Sequence, residues 1–154
     1  MGLALVVLGG CAMLNPPLEQ RTSHGPSAEE LFIYRSMMLN RREPSFDERR
    51  YWDDQLDLKV SQYLRQHPEV ANSLDVSTFR FYRRPSVGMS KEQVMILLGA
   101  PEGVTTDAGE MEKLARRYWS GIKGNATEVW TYPLGWSFFF AGPKVVDITQ
   151  YLER

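Results

Sequence analysis

The sequence predicts an α+β fold, N-terminal helices followed by a three-stranded antiparallel sheet, and three observations lead there. Capping boxes at Ser27 with Glu30, Ser45 with Glu48 and Ser90 with Gln93 each precede a helical apolar run. Three short runs of alternating large apolar residues close the chain, at 128–132, 136–140 and 144–151. Helices in one block and strands in the next are the pattern of an α+β domain, and 43% hydrophobic with 12% aromatic residues supplies its core.

Before the first helix, Met1 to Cys11 is apolar, carries no charged side chain and ends in Leu8-Gly9-Gly10-Cys11. Small residues before the single cysteine give this run the shape of a signal peptide, 1–10, and the ending resembles the bacterial lipobox. The reading predicts lipid on Cys11. A buried N-terminal strand or helix holding an ordinary core cysteine is the competing reading, and residues 12–27 argue against it: three prolines, a glycine and no hydrophobic period read as a flexible tether, 11–27. No Lys or Arg precedes the apolar run, which predicts a basic segment encoded upstream of Met1. The run is about half the ~20 residues that span a bilayer, and Val6 stands where a myristoylation motif requires Ser or Thr. Several acyl chains on Cys11 would hold the protein stably at a membrane. Ala12, rather than Asp, resembles lipoproteins sorted to the outer membrane of Gram-negative bacteria, and implies the periplasmic face of that membrane.

The spacing predicts a helix from Ser27 to about Arg41 whose apolar residues, Leu31 to Leu39, cover more than one face. Met37 and Met38 on it suit an adaptable protein contact. A longer helix follows from Ser45 to about Gln66, with Trp52, Leu56, Val60, Tyr63 and Leu64 in one stripe. Asp53, Asp54 and Asp57 lie beside the stripe on a solvent-facing edge, which does not make an acid and base pair. Pro68 ends this helix and opens a short one to Leu74, completing a helical extension over 28–74. Residues 75–84 are open between strand composition and a helix capped by Asp75.

From Val87 the chain reads Val-Gly-Met-Ser-Lys-Glu-Gln-Val-Met-Ile-Leu-Leu-Gly-Ala-Pro101. Ser90 caps, Val94, Leu97 and Leu98 form the buried stripe, Gly99 suits the left-handed position after the helix, and Pro101 forbids continuation. A link follows that contains its own helix, with Asp107 and Glu110 as cap and Met111, Leu114, Ala115 and Tyr118 at helical spacing. In the strands, Trp130 and Tyr132 share a face, as do Trp136, Phe138 and Phe140, while Val146 and Ile148 are expected on a common face.

The order Gly-Met-Ser-x-x-x-Val-x-x-x-Leu-Gly-x-Pro, then Trp-x-Tyr, then a Phe-rich hairpin, resembles the SmpA/OmlA (BamE-like) family of small lipoproteins of outer-membrane β-barrel assembly, over residues 87–151. Tyr63-Leu-Arg-Gln-His-Pro-Glu69 also resembles the leader of lipoproteins that carry such a domain outside that machine. The resemblance implies a helix-helix-three-stranded sheet domain over 75–154, periplasmic residence and a binding role without catalytic residues. Two helices before the domain and an insertion at 102–127 depart from the family pattern. They are also where a partner would be read, at Tyr118 and Trp119 and at Met37 and Met38.

Composition narrows the function further. A net charge of −1 offers no global field for nucleic acid, and the Arg pairs at 41–42, 49–50, 83–84 and 116–117 have carboxylates nearby and read as solvated faces. A single cysteine forms no intramolecular disulfide, and His24 and His67 lack metal-ligand spacing. Ser86, Ser90 and Ser120 have no nucleophile motif. The expectation is a non-catalytic adaptor or accessory subunit of an envelope protein complex, anchored through Cys11, with no cofactor, metal, nucleic acid or small-molecule substrate. An inhibitor-like or ligand-binding lipoprotein is the alternative, and it needs an exposed aromatic sheet face.

Overall fold

The structure, a computed structural model, describes residues 15–154; Cys11, the residue expected to carry lipid, and the expected signal peptide, 1–10, lie outside them. Strand β1 (Leu18–Thr22) leads into helices α1 (Ala28–Asn40), α2 (Phe46–Gln66), α3 (Pro68–Ala71), α4 (Val76–Arg80) and α5 (Lys91–Leu98). Next come β2 (Gly103–Thr105), α6 (Ala108–Ala115), a 3-10 turn (Arg116–Tyr118) and α7 (Trp119–Ile122), then strands β3 (Glu128–Tyr132), β4 (Trp136–Ala141) and β5 (Lys144–Leu152). Segment 75–84 thus resolves as helix α4 followed by a loop.

Helices α1, α2 and α5 start where the capping boxes stand, each with both reciprocal hydrogen bonds formed. Gly99 ends α5 at φ 75 and ψ −165, an extended mirror-image geometry open essentially only to glycine, not the left-handed helical one expected. The last carbonyls of that helix are satisfied from outside it: Arg35 donates to the Leu98 carbonyl at 2.6 Å and the Tyr132 hydroxyl to the Gly99 carbonyl at 2.8 Å. The preceding Gly88-Met89-Ser90 stretch is bonded to the β4–β5 hairpin. Gly88 N–H donates to the Val145 carbonyl, and Val145 N–H to that of Met89. This fixes where α5 meets the sheet.

The sheet is antiparallel and five-stranded, in the order β1-β5-β4-β3-β2, and not three-stranded. The two strands the sequence conceals are its edges. Strand β2 is three residues inside the 102–127 insertion, too short to show a period. Strand β1 lies in the segment expected to be a tether. It pairs with β5 over Leu18 to Thr22, and the chain after it stays packed, with Gly25 and Pro26 buried. A Cβ on Gly25 would lie 2.4 Å from the Phe138 ring, so the backbone passes there only because that residue is glycine. Prolines mask β1 on its N-terminal side, and its charged positions, Glu19 and Arg21, face partners far away in sequence.

Helices cover both faces of the sheet. On one face Trp130, Tyr132, Trp136, Phe138, Phe140, Val145 and Ile148 form the main core with α1, α2, α4 and α5. On the other, Val129 and Phe139 make a smaller core with Met111 and Ala115 of α6 and Ile122 of α7. Val146 packs with this second core while Ile148 belongs to the first, so the expected common face is wrong. A β-bulge is the cause: Phe139 pairs with Asp147 but Phe140 with Val145, which leaves Val146 as the extra residue and shifts the alternation by one. The single helix expected after Asp107 is also broken, because Arg116 takes a φ of 53 and α6 stops at Ala115.

Candidate functional site

The residues expected to meet a partner do not come together. Met37 and Met38 are exposed at the end of α1, by 47% and 65%. Tyr118 and Trp119 are half-buried against the second core, on the opposite face of the sheet. Tyr118 is turned inward to the strand edge, its hydroxyl donating to the Glu19 carbonyl at 3.4 Å. Glu19 also lies 3.6 Å from Arg116 and 3.7 Å from Arg117. Tyr118 therefore fastens the insertion to β1 more than it offers a surface.

A different concave surface stands out, a groove of about 580 Å³ between the start of α1, the first half of α2 and the loop after α4. Its floor is the stacked pair Phe32 and Trp52, with ring centroids 4.5 Å apart and planes 7° from parallel. Its rim carries Phe46, Phe81 and Tyr82, exposed by 76%, 69% and 71%. Three large aromatic rings thus stand exposed around one hollow.

The loop bearing Phe81 and Tyr82 is held by Arg83. Its φ of 50 is uncommon for a residue with a side chain. Its guanidinium, mostly buried, donates to Asp53 and lies 3.4 Å from Asp57, one helical turn on along α2. Its carbonyl accepts from the N–H of Ala28 at 2.9 Å, tying the loop to the first turn of α1. Asp53 and Asp57, on the edge expected to face solvent, are therefore the clasp of this loop.

Within the groove lining, Asp53 and Asp57 are engaged by Arg83, and Glu29 lies 3.7 Å from Arg49. Arg50 and Arg80 also line it and have no ion-pair partner among the described residues; Arg80 sits 5.2 Å from the centre of the Phe81 ring. Nearby, a hydrogen bond from Arg42, with the Ser45 backbone N–H behind it, holds the Glu48 carboxyl below its ordinary range, so the α2 cap stays charged. The groove lining is thus aromatic and carries four arginines against three carboxylates, an arrangement suited to binding.

The sequence missed this site because its parts come from three separate segments and no spacing links them. Phe81-Tyr82-Arg83 was the one available signal: two large aromatics where no apolar period calls for them.

No protein-family model, curated protein or solved structure matches the chain. Among the described residues no group of three or more His, Cys, Asp or Glu is placed to hold a metal ion, and no helix is long and apolar enough to cross a membrane.

Proposed function

We propose that this protein is a lipid-anchored, non-catalytic adaptor or accessory subunit of a bacterial envelope complex, tethered through Cys11 at the periplasmic face of the outer membrane. The observation that carries the binding role is the groove: Phe81 and Tyr82 lie open to solvent on a loop that Arg83, Asp53 and Asp57 hold in place. Exposed aromatics on a fixed frame favour protein contact over a role in the protein's own core. The anchor rests on Leu8-Gly9-Gly10-Cys11. The SmpA/OmlA likeness, with outer-membrane protein assembly as the process, rests on the motifs between Val87 and Tyr151. Gly88 and Gly99 do occupy backbone geometries that need glycine, at φ 96 and 75.

The inhibitor-like alternative loses its surface, since Trp130, Tyr132, Trp136 and Phe138 are each at most 8% exposed beneath the helices. The test of the adaptor reading pairs metabolic labelling by a palmitate analogue with crosslinking in intact cells. Wild type is expected to incorporate label and yield a stoichiometric protein adduct, and Cys11→Ala to lose the label. An unlabelled wild type without a protein adduct rejects it.

A further inference from the structure

We propose that the groove between α1, α2 and the 81–83 loop binds an acidic segment of a partner polypeptide, one that places an apolar side chain between carboxylates. This deepens the adaptor reading by naming what the groove takes, and it rests on that reading only for the idea that a partner exists.

The lining holds four arginines, Arg49, Arg50, Arg80 and Arg83, against three carboxylates, Glu29, Asp53 and Asp57, a surplus of one positive charge. Arg83 serves both Asp53 and Asp57 and Arg49 stands by Glu29, while Arg50 and Arg80 remain without an ion-pair partner among the described residues. A ligand therefore meets two uncommitted guanidinium groups. Arginine favours carboxylates because its fork of N–H donors can bind both oxygens at once. The same groove is lined by the Phe32–Trp52 stack and the rings of Phe46 and Phe81. That floor rewards an aliphatic or aromatic side chain and repays nothing to a purely charged ligand.

Shape favours a polypeptide over a bilayer. The rings surround a hollow whose walls are the Arg83–Asp57 pair and the start of α1, and a broad lipid surface reaches the rim of such a hollow but not its floor. The loop is also pre-set. Arg83 holds a left-handed backbone conformation that is unfavourable for a residue with a side chain, and its ion pairs and the Ala28 N–H bond keep it there without a ligand. Rings already held in place lose little freedom on binding, which favours affinity.

The test is selection of random twelve-residue displayed peptides against the full chain in non-ionic detergent. Enriched sequences should combine Asp or Glu with Leu, Ile, Phe or Trp. Their binding should weaken about tenfold or more in Arg50→Ala/Arg80→Ala and in Phe81→Ala, and should fall as salt rises. Circular dichroism of both variants should match wild type, because all three side chains are exposed. Enrichment without acidic bias, or binding that these variants leave unchanged, overturns the proposal. So does a result in which no acidic peptide is retained while the same variants abolish sedimentation with phosphatidylglycerol vesicles; that surface is a lipid contact. Cys11→Ala should bind the peptides as wild type does, so loss of the anchor reading leaves this result standing. Conversely, a cellular adduct that survives Arg50→Ala/Arg80→Ala sinks the groove and spares the adaptor.

Discussion

Among the described residues, Tyr132 is the one whose ionisation the fold alters most. Burial pushes its hydroxyl well above the ordinary tyrosine range, outweighing the opposing pull of Arg35, and that hydroxyl donates to the Gly99 carbonyl at the end of α5. A raised folded value means that the native state keeps a proton which the unfolded chain releases. Its contribution is complete below about pH 10, the unfolded value, and is lost as pH rises from there toward the folded one. Urea unfolding as a function of pH should show wild type losing stability above about pH 10 more steeply than Tyr132→Phe. At neutral pH the variant should be weaker by about 1 kcal/mol, because the Gly99 carbonyl loses its donor; parallel curves would exclude the tyrosine as the source. A second residue is decided by space rather than charge. Gly135 has a φ of 75, and a Cβ there would lie 1.7 Å from the Tyr151 carbonyl oxygen. Gly135→Ala must push β5 away from the β3–β4 turn and should cost at least about 2 kcal/mol by chemical denaturation. No sequence rule announces that demand, since the clash is with a residue of a different strand.

At the scale of elements, the legible parts were those specified by neighbours in the chain. The caps at Ser27, Ser45 and Ser90 each act on an N–H three residues away, and the helices begin where they stand. The β3–β4 hairpin is likewise local, and its alternation survives folding intact. Elements specified across distance were not legible: β1 depends on β5, and the phase of β5 depends on a bulge. The candidate site fared worst, because Phe46, Phe81 and Arg83 meet only after α2 and the loop behind α4 have packed. Among the expected partner residues, Met37 and Met38 are exposed, yet Tyr118 is spent on the β1 edge. The bulge makes a prediction at this scale. Removing Val146 leaves Phe139 opposite Asp147 and Phe140 opposite Val145, so every core side chain keeps its face. The deletion should fold, losing on the order of 1–2 kcal/mol from the second core and the altered twist. Deleting Thr149 instead turns the residues after it to the wrong face and should unpair β1 from the end of β5. Equal losses by urea denaturation would show that the bulge does not set the phase.

For the whole molecule, β1 is the element that joins the layers. One of its faces follows the chain into Gly25, Pro26 and α1 on the main core. The other carries Arg21, which donates to both oxygens of Asp147 at 2.7 and 2.9 Å, and Glu19, which reaches Arg116 and Arg117 in the insertion. Arg21 is partly solvated, so its pair alone contributes modestly; the larger effect lies in covering β5. If the protein is tethered through Cys11, any pull on the tether enters the fold through this strand, before the groove on α1 and α2. Removing residues 1–22 should therefore do more than shorten a linker. Strand β5 becomes an uncovered edge with free N–H and C=O groups, which invites pairing between molecules, and the insertion loses its hold on the sheet. The shortened chain should unfold at lower urea by several kcal/mol and should self-associate in sedimentation velocity under conditions where the full chain does not. If it keeps the urea midpoint and the sedimentation behaviour of the full chain, β1 is a passive addition to the edge, and strain on an N-terminal tether would not reach the helices that form the groove.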